Sequence, residues 1–185
     1  MIAFNRLAIP DLIEIVPPRF SDDRGFFSEV FRRDLLACQG IEVDWFQDNL
    51  SVSARPGTMR GLHFQVAPFA QDKLIRVSRG AIYDVAVDIR EGSPTYGAWV
   101  GCEISAEKWN QLFVPKGFAH GFMTLVPDTE VFYKVSAPYS AAHEGAIRWD
   151  DADVGIRWPD AGEVTMSPKD AVAPAFRDHV PTFSL

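Results

Sequence analysis

From residue 43 to residue 149 the chain is one short apolar or alternating segment after another, each closed by glycine or proline, with no amphipathic helical stretch between them. Residues 73–77, 82–89, 98–104, 111–114, 130–135 and 146–149 are rich in β-branched and aromatic side chains and read as strands. Between them lie the turn signals Arg79-Gly80, Gly92-Ser93-Pro94, Pro115-Lys116-Gly117 and Val126-Pro127-Asp128. Short strands at this spacing, without crossover helices, predict a mainly β antiparallel sandwich or barrel. Upstream, residues 12–16 and 26–31 read as strands joined by the turn Ser21-Asp22-Asp23-Arg24-Gly25. Residues 34–39, followed by Gly40, predict one short helix. Past Asp150 the alternation is lost, and the tail beyond Pro174 is expected at the surface or under a partner. At 185 residues, without repeats or linkers, the chain is expected to form one domain over residues 1–185.

Polar residues carried inward on such strands are where chemistry is to be sought, because alternate side chains share a face. In Met59-Arg60-Gly61-Leu62-His63-Phe64-Gln65 an imidazole and a guanidinium flank a glycine. His63 is a candidate general base, with a hydrogen-bonded core histidine as the plain alternative. Counting by two puts Arg60 and His63 on opposite faces, unless Gly61 marks a bulge that re-aims one of them. Lys73 shares a face with Ile75 and Val77, and Tyr133 with Val131 and Val135. An inward lysine can stabilise an oxyanion and an inward tyrosine can donate a proton. Equally, a lysine at a strand end can snorkel to water, and a buried tyrosine can be structural. Asp84 and Asp88 fall on the Ile82 and Ala86 face. Ser167-Pro168-Lys169-Asp170 has the form of a capping box, which competes with any role for Asp170 at an imidazole. Pro115-Lys116-Gly117-Phe118-Ala119-His120-Gly121-Phe122 reads as a glycine-bracketed aromatic turn that carries a histidine.

The net charge of −7 argues against a broad nucleic-acid surface, although a few cations focused in a cleft could hold a diphosphate. Two cysteines without CxxC spacing point to a reduced, cytoplasmic setting. Residues 1–10 lack the apolar core of a secretory signal, and no apolar run is long enough to span a bilayer. No three good metal ligands stand together, so a metal-free site is expected.

The blocks Arg60-Gly61-Leu62-His63-Phe64-Gln65, Lys73-Leu74-Ile75-Arg76-Val77 and Tyr83-Asp84-Val85-Ala86-Val87-Asp88-Ile89-Arg90 follow one another in an order that resembles the dTDP-4-dehydrorhamnose 3,5-epimerases. Ser93-Pro94-Thr95-Tyr96-Gly97, the block from Pro115 to Phe122, Tyr133-Lys134 and Ser167-Pro168-Lys169-Asp170 extend the resemblance nearly end to end. It implies a cupin-like double-stranded β-helix, an antiparallel jelly roll with a few short peripheral helices, that works as a homodimer without a cofactor on a dTDP-4-keto-6-deoxy sugar. Within it His63 resembles the general base, Asp170 its carboxylate partner, Tyr133 the acid of the opposite face and Lys73 the cation at the sugar carbonyl, with Arg60 and His120 nearby. Phe20, Arg24, Glu29, Gln47, Asp48, Asn49, Glu144 and Lys169 resemble the nucleotide-binding positions, Arg24 reaching over from a partner subunit. Met59, where a leucine is common in the family, and the approach Ser53-Ala54-Arg55-Pro56-Gly57 are departures that leave the exact sugar open. The alternatives are an enzyme that inverts C3 or C5 alone, an isomerase or dehydratase of another keto sugar nucleotide, and a non-catalytic sugar-nucleotide-binding module.

Overall fold

The computed structural model of the chain describes residues 2–179 and 182–184; Met1, Val180, Pro181 and Leu185, three of them in the tail, lie outside the described residues. Its strands in chain order are β1 (Ala3–Arg6), β2 (Ile13–Val16), β3 (Phe20–Asp22), β4 (Gly25–Phe27), β5 (Gln47–Ser53), β6 (Met59–Gln65), β7 (Lys73–Arg79) and β8 (Ala81–Asp88). They continue as β9 (Arg90–Glu91), β10 (Trp99–Ser105), β11 (Gln111–Val114), β12 (Phe118–Thr124), β13 (Thr129–Val135), β14 (Glu144–Ala146) and β15 (Phe183–Ser184). Helix α1 (Arg33–Ala37) and helix α2 (Pro168–Ala171) are short and peripheral.

Two antiparallel sheets face each other, one in the order β1-β2-β11-β7-β13-β5 and the other β10-β8-β12-β6-β14. This is the expected mainly β jelly roll. The alternation seen in the sequence explains the core between them. Ile75, Val77, Leu112, Val114 and Val131 come from the first sheet, and they meet Ile82, Ala86, Ile104, Phe118 and Phe122 from the second. Burying such side chains stabilises the sandwich by about 1.5–3 kcal/mol each. The outer face of the second sheet carries Leu62, Phe64, Val85 and Val87, covered by Ile147, Val154 and Trp158.

The structure departs from the sequence expectations at five places. Strand pairing in 26–31 stops at Phe27; beyond it Phe31 is held by its ring, edge-on to Trp45 at 6.4 Å. The strand expected at 146–149 lies earlier, at Glu144–Ala146, while Trp149 packs against Trp158. Residues 118–122 are no turn but part of β12, a central strand buried along its whole length. Burial on both faces removes the alternation that reveals a half-exposed strand. The tail past Pro174 is not mere surface: Phe176 and Phe183 pack on the outer apolar layer, and β15 pairs with β9. Half of the capping box forms, Ser167 Oγ accepting from the Asp170 amide at 3.1 Å, but the Asp170 carboxylate goes elsewhere.

The conflict between Arg60 and His63 is resolved by the bulge. Along the β6–β12 ladder His120 stands opposite His63 and Phe122 opposite Arg60, so Gly121 alone spans Gly61 and Leu62. The extra residue on β6 brings both side chains to one cavity. Gly61 has φ +125°, and a Cβ there would lie 2.5 Å from the Gly121 Cα and 2.8 Å from the His120 carbonyl oxygen. We expect Gly61→Ala to cost about 3 kcal/mol. That corresponds to a fall of roughly 6–12 °C in the melting temperature, measured by calorimetry. A midpoint within about 2 °C of wild type would show that the two strands can part without the glycine.

Candidate active site

Between the two sheets opens a cavity of about 290 Å³. Its two opposing walls have different chemistry. From the second sheet come Arg60 and His63 on β6 and His120 and Phe122 on β12; from the first come Lys73 and Ile75 on β7, Tyr133 on β13 and Ser51 on β5. Helix α2 closes one end with Lys169 and Asp170.

His63 Nε2 donates to Asp170 Oδ1 at 2.6 Å. The carboxylate accepts only, which leaves Nδ1 as the nitrogen with a free lone pair. Burial pushes the His63 imidazole below its ordinary value, and the Lys73 cation adds to this, while the bond to Asp170 opposes it. Lys73 has turned inward rather than snorkelling, its Nζ donating to the His63 carbonyl oxygen at 3.4 Å. Burial brings its ammonium down to about 8 against the pull of the Asp84 and Glu144 carboxylates. The Tyr133 phenol is raised by burial, with the Arg60 cation working the other way. The cavity thus holds a neutral base, a desolvated cation and a protonated phenol within one shared space.

His120 is held by a second carboxylate, Nε2 lying 2.9 and 3.0 Å from the two Asp84 oxygens. Asp84 has no exposed surface, and its inward position follows from its place on the Ile82 and Ala86 face. The pairing partner, 36 residues away on a strand read as a turn, did not. Tyr139 is a further residue the sequence reading did not single out. It donates to Glu144 Oε2 at 2.7 Å, and Lys169 pairs with the same carboxylate. Burial would raise the Glu144 carboxyl, but these two partners outweigh it and hold the group below its ordinary value. No pattern in the sequence marked Tyr139.

The cavity continues into a neighbouring hollow of about 230 Å³, which shares His63, Lys73, Tyr133 and Glu144 and adds Gln47, Asn49 and Tyr139. Gln47 and Asn49 are therefore brought to the site. Asp48 alternates outward to a bond with Lys134 at 2.8 Å. Phe20, Arg24 and Glu29 are not brought in. Phe20 and Glu29 border a separate hollow with Phe4 and Phe27, and Arg24, on the β3–β4 hairpin, is tied to Asp22 at 2.6 Å in full exposure. Among the described residues no group of three or more His, Cys, Asp and Glu side chains is placed to hold a metal ion.

The model of the family described as dTDP-4-dehydrorhamnose 3,5-epimerase matches residues 6–178. The chain belongs to this family. A relative from Sinorhizobium fredii named dTDP-4-dehydrorhamnose 3,5-epimerase is 54% identical over 172 residues, 93% of this chain and 88% of its own length. The crystal structure of the Bacillus anthracis enzyme of that name, with TDP and pyrophosphate bound, superposes with a TM-score of 0.92 at 46% identity, over 95% of this chain and 100% of the other. A Legionella pneumophila dTDP-6-deoxy-D-glucose-3,5-epimerase in complex with dTDP-4-keto-L-rhamnose also superposes with a TM-score of 0.92, at 40% identity over 96% and 94% of the two chains. The cupin-like jelly roll and the enzyme class implied by the sequence motifs thus hold for this member of the family.

Proposed function

We propose that the chain inverts C3 and C5 of dTDP-4-keto-6-deoxyglucose, giving dTDP-4-dehydrorhamnose, with its own side chains and no cofactor. The observation that carries this is the placement of His63 and Tyr133 on opposing sheets across one cavity, with Lys73 on the same sheet as Tyr133 and its Nζ 3.4 Å from the His63 carbonyl oxygen. In a 4-keto sugar the protons on C3 and C5 both flank the carbonyl, so either can leave to give an enolate. Inversion needs a base on one side of the ring and an acid on the other. His63, oriented by Asp170, removes the proton. The enolate oxygen faces the Lys73 ammonium, and Tyr133 returns a proton from the far side. Arg60 and His120 border the sugar, while Glu144, Lys169, Gln47 and Asn49 line the way to the nucleotide.

We read the protein further as a homodimer of the cytoplasm. Leu50, Val52, Phe20, Phe27 and Phe46 are each more than half exposed, an apolar surface that a second subunit would cover. Phe20, Arg24 and Glu29 contribute to nucleotide binding only if they project into the neighbouring subunit's cavity; Asp48 keeps its place as a nucleotide-end residue on the resemblance alone. Both cysteines are unpaired, in keeping with a reducing compartment. No helix among the described residues is long and apolar enough to cross a membrane.

The direct test is incubation with dTDP-4-keto-6-deoxyglucose in deuterated water, with NMR at both carbons. Deuterium is expected at C3 and at C5. Label at one carbon alone would make the protein a mono-epimerase, and none at either would sink the epimerase assignment for this sugar.

A further inference from the structure

Strand β5 turns Gln47, Asn49, Ser51 and Ser53 toward the second sheet, while Asp48, Leu50 and Val52 face out. Two of the inward residues are serines, and their hydroxyls fare differently. Ser53 Oγ accepts from Arg60 Nε and Nη2 at 3.4 Å. Ser51 Oγ is shielded from solvent and has no hydrogen-bond partner among the described residues, a condition it shares only with His179 Nε2. His179 sits in the aromatic cover of the outer layer, stacked on Phe176. Ser51 lines the catalytic cavity itself.

A buried hydroxyl without a partner costs stability, and a residue that keeps one needs another reason to be there. Packing does not supply it. Ser51 stands opposite Val131 on β13, and Ile75 borders the same wall, so alanine would fill the position as well. Its neighbour on β13 toward the cavity is Tyr133, which pairs with Asn49 two residues along β5. Rotation about one side-chain bond is all that a serine hydroxyl needs to change partners.

We propose that Ser51 is a sugar-contacting residue, whose hydroxyl hydrogen-bonds a ring hydroxyl of the keto sugar and fixes its rotation between His63 and Tyr133. This rests on the epimerase reading above. Once C1 carries the nucleotide, C4 the carbonyl and C6 a methyl group, the ring offers free hydroxyls only at C2 and C3. A neutral hydroxyl on the protein suits either, because it can donate or accept as the ring requires. The contact also explains the unmet group in the free protein: the partner arrives with the substrate.

The test pairs Ser51→Ala with the parent sugar nucleotide and its 2-deoxy and 3-deoxy analogues, following exchange at C5, which all three sugars retain. Wild type should lose about tenfold in kcat/KM with one of the two analogues. Ser51→Ala should lose about tenfold with the parent and nothing further with that same analogue, since the two changes remove one bond. In the free protein Ser51→Ala should melt at or above the wild-type temperature, which a structural serine would not permit. Ser51→Ala turnover equal to wild type with the parent, a loss that adds in full to those of both analogues, or a lower melting temperature would each overturn the assignment. Were wild type itself to exchange neither proton of the parent, the epimerase reading would fail and the sugar contact with it; wild-type exchange with an indifferent Ser51→Ala overturns the contact alone.

Discussion

His63→Asn is expected to lower the exchange of both substrate protons by about a thousandfold or more, within the range that a positioned general base contributes. Asparagine keeps an N–H that can donate to Asp170, whose oxygen lies 2.6 Å from the imidazole in the wild type, so the wall of the cavity stays in place. What is lost is the lone pair on the second ring nitrogen. Affinity for dTDP, measured by calorimetric titration, should therefore stay within about twofold while turnover collapses. The pH profile supplies an independent sign. His63 works as a base only when unprotonated, and burial lowers its value from the ordinary 6.5. Wild-type kcat/KM should rise with pH through a limb below 6.5 and be level above it until another group titrates. Exchange by His63→Asn within tenfold of wild type at either carbon would remove His63 from the base's role there.

How much of this arrangement could be seen in the sequence depended on whether a residue's signal was local. The period of two on β7 and β13 placed Lys73 and Tyr133 on inward faces, and the structure puts them there; on β8 it grouped Asp84 with Ile82 and Ala86 without saying which face of that doubly buried strand was the inner one. The same counting set Arg60 against His63 and left a bulge at Gly61 as one way out, and the β6–β12 register shows that bulge. Strand β12 escaped because its seven residues are all buried and two are small, which leaves no alternation to read. Asp170 was ambiguous for a physical reason: one residue serves the cap through its amide and the imidazole through its carboxylate. Ser51 and Tyr139 gave no sign, since a serine on an edge strand and a tyrosine in a loop are ordinary. Their importance lies in what they face, and long-range contacts are not written in local pattern. Phe20, Arg24 and Glu29 are a different case. The resemblance names them, yet the chain by itself holds them away from the cavity, and only the proposed homodimer would give them a part in nucleotide binding.

Lys73→Met should separate catalysis from stability, moving them in opposite directions. Methionine matches the unbranched apolar stem of lysine, one heavy atom short of the ammonium, and lacks the charge. If Lys73 faces the enolate oxygen, its removal should reduce kcat by roughly a hundredfold to a thousandfold with little change in affinity for dTDP, the cost typical of losing one preorganised oxyanion partner. A cation that is useful there is also costly there. Burial brings the folded-state value to about 8 from the ordinary 10.5, which means the folded protein binds the proton less well than the unfolded chain does. Between those two values the unfolded chain carries more protons, so wild-type stability should rise as pH increases from about 8 toward 10.5 and bear the full penalty below that window. Lys73→Met should abolish that rise and melt higher than wild type at pH 7. The protonated lysine is the active form, so wild-type kcat/KM should fall as pH climbs through about 8, and the variant's residual activity should lack that limb. Near-normal turnover in Lys73→Met would remove the oxyanion role. A melting temperature below wild type at pH 7 would show instead that the ammonium is paired well enough in the free protein to offset its burial, and that the site stores no strain at this residue.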